Sequence, residues 1–535
     1  MRTPQKRTTG LLAVLAAGAL ALTACTGGTA GGGGGNGAEG GERVYVQAIA
    51  DDPMGLNAQL ISGATPSMFS AQILDPLIFL SQDYEMTPGL AESWELSDDG
   101  LNLTLVLREG VTWHDGEPFT AEDVAFNFEE IVPLQSFGAQ IGERLESAEV
   151  VDEHTVVLHL SEPFGPLLET VASQFMVPKH IYEGTDYVTN QANMEPIGTG
   201  PMVFDSYSSG EQVTLTANPD YWGGEVQVDR AVYPIMTDPN ARAEALFAGE
   251  VDQASVDVSQ QDRVSDDPTT LLLEESNFPQ LVTVMFNAQS EYLEDPAVRA
   301  AVFAALDREA IVDTALSGIG TPANGFFPEA LEWAVSPNVD FSQDFPRDVD
   351  AINETLDEAG FERGANGMRF TLNVRYINEL SDVAATVEMA QSMLEEVGIG
   401  IEMQGTSGAV FTEKVYTESE FDLAFLRSTV GADPSIGIVR WYECNEAKAA
   451  AANPSGLCDP EIDEAAAEAL ATSVQAERGV ALTALQDRAA EMMYYAPLAW
   501  FNGAFPTINT TRWQGQDEPT PMTNRMPWTT MTMEG

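Results

Sequence analysis

Alternating and helical hydrophobic patterns follow one another closely between residues 88 and 130. Leucines stand at every second position from Leu101 to Leu107, and this period of two residues predicts a strand with one buried face. The pair Asp115-Gly116 is a turn signal, and Thr120 could cap the helix whose apolar residues recur at helical spacing from 124 to 131. The stretch therefore predicts a turn, a strand, a second turn and a capped helix, all of which are scaffold rather than a reactive site.

A second pattern, after Met368, alternates strands with helices. It predicts strands at 368–376, 399–403 and 421–426 and helices at 381–397 and near 409–418. This βαβαβ order indicates a largely parallel sheet covered on both faces. Ligands on such sheets gather beyond the carboxyl ends of the strands, so residues 427–435 are the first place to look for a site.

The rest of the chain carries similar but less regular patterns. It predicts strands at 44–48, 231–236, 278–287 and 496–502, a short helix at 239–249 and an Ala-rich helical pair within 461–495. Asp295 followed by Pro296 predicts the start of one continuous helix that stops at Gly318.

The N-terminus is typical of a targeting segment. A basic start precedes an apolar run from Leu11 to Leu22, which is too short to span a bilayer comfortably. The following Leu-Thr-Ala-Cys resembles a bacterial lipobox, which implies that Cys25 becomes the first mature residue and carries lipid. The alternative is an ordinary secretory signal with an incidental cysteine. Residues 1–25 are thus expected to be a signal peptide, and the Gly-rich residues 26–42 a flexible tether.

The charge balance limits the classes of partner that this protein is expected to bind. The 535 residues include 83 acidic and 24 basic side chains, giving a net charge of −59 at pH 7. Such a surface repels nucleic acid and anionic lipid headgroups, so no nucleic acid is expected as a partner and membrane contact is expected only through a lipid anchor. We expect the mature protein to be a monomer.

Cysteine and histidine usage disfavours a metal centre and a hydrolase. Cys444 and Cys458 remain as a pair in an exported chain, so we expect a disulfide, whose loop would contribute about 3 kcal/mol in the chain-entropy treatment. All four histidines lie in the first 180 residues and none has metal-ligand spacing, and no GxSxG or HExxH occurs. No catalytic residue, metal or cofactor is expected, and a secreted hydrolase stays a remote alternative.

Two sequence motifs resemble those of a known protein family. AESWELSDDG at 91–100 and LREGVTWHDGEPFTAEDV at 107–124 resemble the signature of the family 5 extracellular solute-binding proteins of ABC importers, the peptide, dipeptide and nickel group. The resemblance implies an α/β fold of two lobes, like periplasmic binding proteins of class II or cluster C. The first lobe would comprise residues 43–75, 196–282 and 500–535, with an inserted subdomain at 76–195, and the second lobe residues 283–499.

The resemblance also implies a function. A protein of this family would capture oligopeptides or dipeptides in a cleft between the lobes and deliver them to an ABC importer permease with its ATPase subunits. It would work at the extracellular face of the cell membrane, or in the periplasm if the cell has an outer membrane. A nickel chelate, an opine, an oligosaccharide or haem is the alternative solute.

The resemblance further implies candidate ligand-binding residues, each with an alternative structural role. Asp433 would hold a peptide ammonium group through a charge-assisted hydrogen bond, or would only form the turn before Pro434. Arg427 would bind a carboxylate, or form an ion pair at a helix edge. The remaining candidates are the loop residues Ser62 and Gly63, Ser255 at a strand end, Phe278 at the crossing to the second lobe, and Trp441, which would line a pocket or simply pack.

Overall fold

The computed structural model describes residues 41–135, 138–273, 279–501, 506–522 and 524–534. The expected signal peptide, Cys25 and residues 26–40 lie outside the described residues, as does Phe278. The chain divides into Met1–Gly41 and Glu42–Gly535, and everything below concerns the second unit. Among the helices that are described, none combines the length and the apolar character needed to cross a bilayer.

The strands of the described chain are β1 (Val44–Ala48), β2 (Ile78–Leu80), β3 (Met86–Pro88), β4 (Ala91–Leu96), β5 (Asn102–Leu107), β6 (Leu145–Asp152), β7 (Thr155–Leu160), β8 (Met202–Ser208), β9 (Gln212–Ala217), β10 (Arg230–Pro234), β11 (Gln253–Ser255), β12 (Thr270–Leu272), β13 (Gln280–Phe286), β14 (Thr321–Pro322), β15 (Phe370–Ile377), β16 (Ile399–Thr406), β17 (Leu423–Thr429), β18 (Tyr495–Phe501), β19 (Pro506–Asn509), β20 (Trp513–Gln514) and β21 (Thr532–Met533).

The α-helices are α1 (Ala64–Ile73), α2 (Ala121–Phe126), α3 (Ala139–Arg144), α4 (Leu167–Ala172), α5 (Lys179–Tyr182), α6 (Pro239–Phe247), α7 (Gln261–Asp266), α8 (Pro296–Ala305), α9 (Arg308–Ala315), α10 (Phe341–Asp344), α11 (Val349–Glu358), α12 (Ser381–Glu396), α13 (Gly408–Thr412), α14 (Pro460–Leu470) and α15 (Gln475–Met492).

Two large sheets organise the two lobes. The first has the strand order β12-β19-β11-β1-β10-β9-β8, with β1 parallel to β10 and β11. The second has the order β14-β18-β13-β17-β15-β16. Strands β13 and β18 belong wholly to the second sheet, whereas the expected lobe boundaries at 282/283 and 499/500 fall inside them. The exact boundaries of the lobes stay a prediction.

The second sheet is mixed rather than largely parallel. Strand β15 pairs in parallel with β16 and β17, as the βαβαβ pattern predicts. Strand β13, however, is antiparallel to both β17 and β18, and β14 is antiparallel to β18. The expectation of a largely parallel sheet was wrong because β13 and β18 enter from the other lobe, and such chain crossings need no parallel crossover helix.

The inserted subdomain is built around a four-stranded antiparallel sheet of order β4-β5-β7-β6. Leu103, Leu105 and Leu107 of β5 are buried, as their alternation predicts. Helix α2 starts with a capping box, in which the Thr120 N–H donates to Asp123 Oδ2 at 3.0 Å. These elements confirm the prediction for this stretch, and the other oxygen of Asp123 accepts the N–H of Lys179 at 3.0 Å, which ties α2 to α5.

The helix that was expected from 296 to 318 is two helices. Helix α8 ends at Ala305 and α9 begins at Arg308. Asp307 lies between them with an extended backbone, and its side chain accepts the N–H of Ala310 at 3.0 Å. The single-helix prediction was wrong because Asp307 acts as an N-cap and starts a new helix instead of continuing the old one.

Candidate solute-binding site

The carboxyl end of β17 lies at one edge of the second sheet, beside the two strands that cross between the lobes. Thr429 at the end of β17 pairs with Gln280 at the start of β13, and Gln280 also pairs with Phe501 at the end of β18. The loop that follows β17, residues 430–437, therefore leaves the sheet where the chain passes between the lobes.

This loop folds back tightly on the end of β17. Gly431 has a φ of 80°, which favours glycine. A Cβ at Gly437 would lie 1.6 Å from the carbonyl oxygen of Val430, so no larger residue fits there without moving the backbone. The Gly437 N–H donates to the Asp433 carbonyl at 2.9 Å. The loop is thus a closed turn that points Asp433 and Ile436 away from the sheet.

Asp433 is buried, with 1% of its surface exposed, and both of its oxygens accept hydrogen bonds from the protein. Oδ2 lies 2.5 Å from Nη2 of Arg478, and Oδ1 accepts the N–H of Ser435 at 2.8 Å. Arg478 also donates to Ser435 Oγ at 3.0 Å. This geometry corresponds to the turn-forming alternative for Asp433. It leaves no exposed oxygen for a solute ammonium group, so an ammonium could reach Asp433 only if the ion pair opened.

The inserted subdomain brings two more ionisable groups to the Asp433–Arg478 pair. Burial, with the nearby charge of Asp433, raises the pKa of Glu169 to about 7, although Arg478 opposes the shift. Burial and Asp433 also raise the pKa of Tyr84, whose hydroxyl donates to the Gly431 carbonyl at 3.3 Å. Glu169 and Tyr84 are both partly buried, and they bring the subdomain against the second lobe at this ion pair.

Arg427 forms the ion pair that was the alternative to carboxylate binding. Its Nε and Nη2 donate to the two oxygens of Asp382 at 2.8 and 2.7 Å, and Asp382, in the first turn of α12, is fully buried. The Arg427 side chain keeps 23% of its surface exposed, and its guanidinium carbon lies 5.5 Å from the centre of the Phe501 ring. Arg427 is therefore held in place at the sheet edge by its partner, with its remaining surface toward the crossing strands.

Asp257, two residues beyond Ser255, faces this cluster from the first lobe. Its Oδ2 accepts the hydroxyl of Ser381 at 2.7 Å. Burial alone would raise the pKa of Asp257, but the hydrogen bonds from Ser259 and Ser381 and the charge of Arg427 outweigh it and lower the pKa. The structure thus brings the predicted residues Arg427 and the Ser255–Asp257 segment together across the two lobes.

Ser62 and Gly63 are exposed and immediately precede α1. The Gly63 carbonyl accepts the N–H and the hydroxyl of Ser67, at 3.2 and 2.9 Å. Among the described residues, neither Ser62 nor Gly63 forms a hydrogen bond or ion pair with Asp433, and the observed hydrogen bonds of Gly63 are with α1. A role in binding solute stays a prediction for both residues.

Trp441 packs in the core of the second lobe. Its ring stacks on Tyr495, with centroids 5.4 Å apart and planes 5° from parallel, and Tyr442 packs edge-on against the same ring. Both Trp441 and Tyr442 are buried. The contacts of Trp441 therefore correspond to the alternative in which it packs in the core. Its stacking partner Tyr495 is linked to β17, because the Tyr495 hydroxyl lies 2.6 Å from Ser428 Oγ.

A cavity of about 430 Å³ opens beside the short edge strand β14. Its walls include Pro322, Phe327, Val339 and the rings of Trp500 and Phe501. The cavity lies at the same end of β18 as the crossing, so it adjoins the sheet edge that carries Arg427. The recess is mostly apolar, with Glu329 also in its wall, and its Phe501 ring lies 5.5 Å from the guanidinium carbon of Arg427.

Cys444 and Cys458 are joined as a disulfide, with their Cα atoms 4.4 Å apart. Glu446 brings a carboxylate within 4.8 Å of the two sulfurs, which is a spacing that a metal could use. The sulfurs are bonded to each other, so they are not thiolates and do not act as metal ligands.

Three residues at the contact between the lobes were not found from the sequence. Arg478 lies in an Ala-rich helix, Glu169 in a short amphipathic one, and Ile436 in a loop. Each residue type is common in such an element, and only the folded chain brings the three together. Helix α15 also contains Glu477, Asp487 and Arg488, so the sequence offers no signal that singles out Arg478.

The two-lobed α/β fold, with an inserted subdomain and a crossing between the sheets, defines a class of binding proteins that close around a solute. The chain belongs to the bacterial extracellular solute-binding proteins, family 5, whose sequence model matches residues 85–449. It is therefore a solute-binding protein of the kind that works with ABC importers.

Individual relatives agree with this assignment. The chain is 30% identical over 491 residues to di/tripeptide-binding protein 4 of Pseudomonas aeruginosa, covering 86% of this chain and 89% of the relative. It is 29% identical over 347 residues to heme-binding protein A of Haemophilus influenzae, covering 60% and 62%. The crystal structure of the ABC transporter substrate-binding protein CtaP of Listeria monocytogenes matches with a TM-score of 0.81 and 25% identity, over 92% of this chain and 99% of that one.

Proposed function

We propose that this protein captures short peptides, dipeptides or oligopeptides, between its two lobes and presents them to the permease and ATPase subunits of an ABC importer. The observation that carries the proposal is the meeting of Arg427 with the Ser255–Asp257 segment at the facing edges of the two sheets. A solute held there would meet backbone groups at strand ends, a fixed cation and the apolar recess beside Trp500. Backbone contacts give affinity for many peptides, and a recess tolerates varied side chains.

We expect Arg427, rather than Asp433, to be the charged residue that anchors a bound peptide. Since Asp433 is paired with Arg478, recognition would rest on the peptide backbone and on the α-carboxylate, for which Arg427, beside the crossing strands, is the candidate residue. Arg427 would keep its ion pair with Asp382 and also donate to the carboxylate of the solute, because a guanidinium has five N–H donors. Ser62, Gly63 and Ser255 would contribute backbone contacts from the first lobe.

A non-peptide solute is the second candidate, and the relative named as a heme-binding protein favours keeping it. Direct ligation of a metal by histidine has little support in the described chain. His114 is half-buried, and its Nε2 lies 3.0 Å from the Gly200 carbonyl, while His159 and His180 lie against Glu149 and Asp115. A nickel chelate, an opine, an oligosaccharide or haem would instead have to bind as an intact complex through the same cleft.

The lipobox-like sequence supports a place at the outer face of the cell membrane. Cleavage before Cys25 would remove residues 1–24 and leave Cys25 as the lipid-bearing first residue, with the Gly-rich segment as a tether between the lipid and the lobes. The protein would act there as a monomer, without enzymatic activity.

Titration calorimetry tests the peptide assignment. A panel of di-, tri- and pentapeptides should give saturable binding, while haemin and nickel–histidine should give none. Amidation of the peptide C-terminus should weaken binding by about tenfold or more if Arg427 donates hydrogen bonds to the α-carboxylate. Tight binding of haemin or of the nickel complex, without peptide binding, would contradict the proposal.

A further inference from the structure

The hydrophobic core of the inserted subdomain is completed by a residue of the second lobe. The buried members of this core that the structure describes come from residues 77–176, with the single exception of Ile436. Ile436 is 5% exposed, and it reaches the subdomain from the loop after β17. Ala432 and Leu470, also of the second lobe, pack partly buried against the same cluster.

A backbone contact accompanies this apolar one. The Gly165 N–H, just before α4 of the subdomain, donates to the carbonyl of Leu470 at the end of α14, at 2.7 Å. Arg478 lies against the same residue and donates from Nη1 to the Gly165 carbonyl at 3.4 Å. The subdomain and the second lobe thus share both buried apolar surface and a hydrogen bond.

Gly165 fits this contact because it has no side chain. A Cβ there would lie 2.6 Å from the Thr472 carbonyl, 2.7 Å from the Ala469 carbonyl and 2.9 Å from Arg478 Nε. All three atoms belong to the second lobe, and the φ of Gly165 lies outside the left-handed region. Alanine at this position would therefore strain the contact between the lobes and not the subdomain itself.

We propose that Ile436, Arg478 and Gly165 form a closure contact that sets solute affinity without touching the solute. This inference rests on the proposed closing of the lobes around a ligand. Opening the cleft would expose Ile436 and break the hydrogen bond from the Gly165 N–H to the Leu470 carbonyl. The contact therefore stabilises the closed state whatever the solute is. The contact then scales the affinity for every solute by the same factor, because affinity depends on the fraction of closed protein.

Hydrogen exchange of the full-length chain, read by mass spectrometry without added solute, tests the contact directly. In Ile436→Ala and in Gly165→Ala, the amide of residue 165 should exchange about tenfold faster, while the β5–β7 ladder of the subdomain keeps its protection. Ile401→Ala removes an equally apolar side chain from the second lobe away from the subdomain, and Gly408→Ala adds a methyl group where nothing lies within 4 Å. Neither control should change exchange at residue 165.

Binding of the peptide panel supplies the second readout. Both closure variants should weaken every peptide that binds by a common factor of about ten, with the order of preference unchanged, and Ile436→Leu should restore most of the affinity. Unchanged exchange at residue 165 in both variants, losses that differ between peptides, or equal effects in the controls would overturn the proposal. If no peptide binds even the wild-type chain, the peptide assignment fails, but the exchange result still decides the closure contact.

Discussion

Nη2 of Arg478 lies 2.5 Å from Oδ2 of Asp433, and the two side chains are almost completely buried. Helix α15 thereby holds the loop that follows β17, and it does so at the place where the inserted subdomain meets the second lobe. A buried ion pair contributes little net stability, but the loss of one partner leaves the other charge unpaired and costly. The pair therefore fixes the position of the loop more than it stabilises the fold.

Asp433→Ala should lower the free energy of unfolding by about 3 kcal/mol, because Arg478 would stay buried without its counter-charge. Peptides with a free N-terminus and their N-acetylated forms should lose affinity by the same factor in calorimetry. A loss confined to the free amino terminus would instead identify Asp433 as the ammonium anchor. Asp313→Ala, at an exposed position of α9, is the matched control and should change neither quantity.

The pKa of Glu169, raised to about 7 by burial beside Asp433, predicts a pH dependence of stability. In the unfolded chain this carboxyl ionises near its ordinary pKa, whereas the folded chain keeps its proton until about pH 7. The unfolded state thus binds fewer protons between these values, so the stability from this group is present at low pH and is lost as pH rises toward 7. Arg478 and Asp433 are the charged groups that face Glu169.

Glu169→Gln should remove this part of the pH dependence. Urea unfolding at pH 8 should show a more stable variant than the wild type, since glutamine carries no charge to desolvate, and the two should be equal at pH 4, below the ordinary pKa of the carboxyl. Glu109→Gln, at an exposed turn of the same subdomain, serves as the control. A wild-type difference between the two pH values that Glu169→Gln leaves intact would show that other groups cause it.

Arg525 joins the C-terminal segment to the first lobe. It donates to Asp75 Oδ1 and to the Ala71 carbonyl, both at 2.6 Å, and to the Leu74 carbonyl at 2.7 Å. Asp75 is buried and also accepts the Trp222 Nε1–H at 2.8 Å. Arg525→Met should therefore destabilise the chain by about 3–5 kcal/mol in urea unfolding.

The exposed ion pair of Arg263 with Glu244 provides the comparison for Arg525. Arg263→Met should cost less than about 1 kcal/mol, because surface pairs are screened by water. Similar losses in the two variants would mean that burial does not govern the contribution of Arg525.

Local pattern predicted the elements of this fold well where burial is one-sided. The leucines of β5, the capping box before α2 and the strands β15 to β17 with their connecting helices all follow from periodicity and end signals. Asp307 marks the limit of that approach, since a capping residue inside a helical pattern is compatible with either one helix or two. The antiparallel placement of β13 and β18 depends on long-range pairing, to which no local signal corresponds.

The site was harder to predict than the fold. The sequence predicted Arg427 and Asp433 in the loop after a strand at 421–426, whereas β17 includes Arg427 and ends at Thr429, with Asp433 in the loop beyond it. An aspartate before proline also gives the same sequence signal whether it faces solvent, a solute or a buried arginine. Arg478 follows Asp433 by 45 positions and Gly165 lies in another subdomain, so only the folded chain brings them together. The partners that decide the role of each charged residue come from distant parts of the sequence.

Native mass spectrometry of the protein as it is released from growing cells tests the central claim most directly. If the protein captures peptides, its mass should exceed that of the mature chain by the masses of short peptides, which tandem fragmentation would sequence. A bound mass of a metal chelate, haem, an opine or an oligosaccharide, with no peptide, would contradict the account.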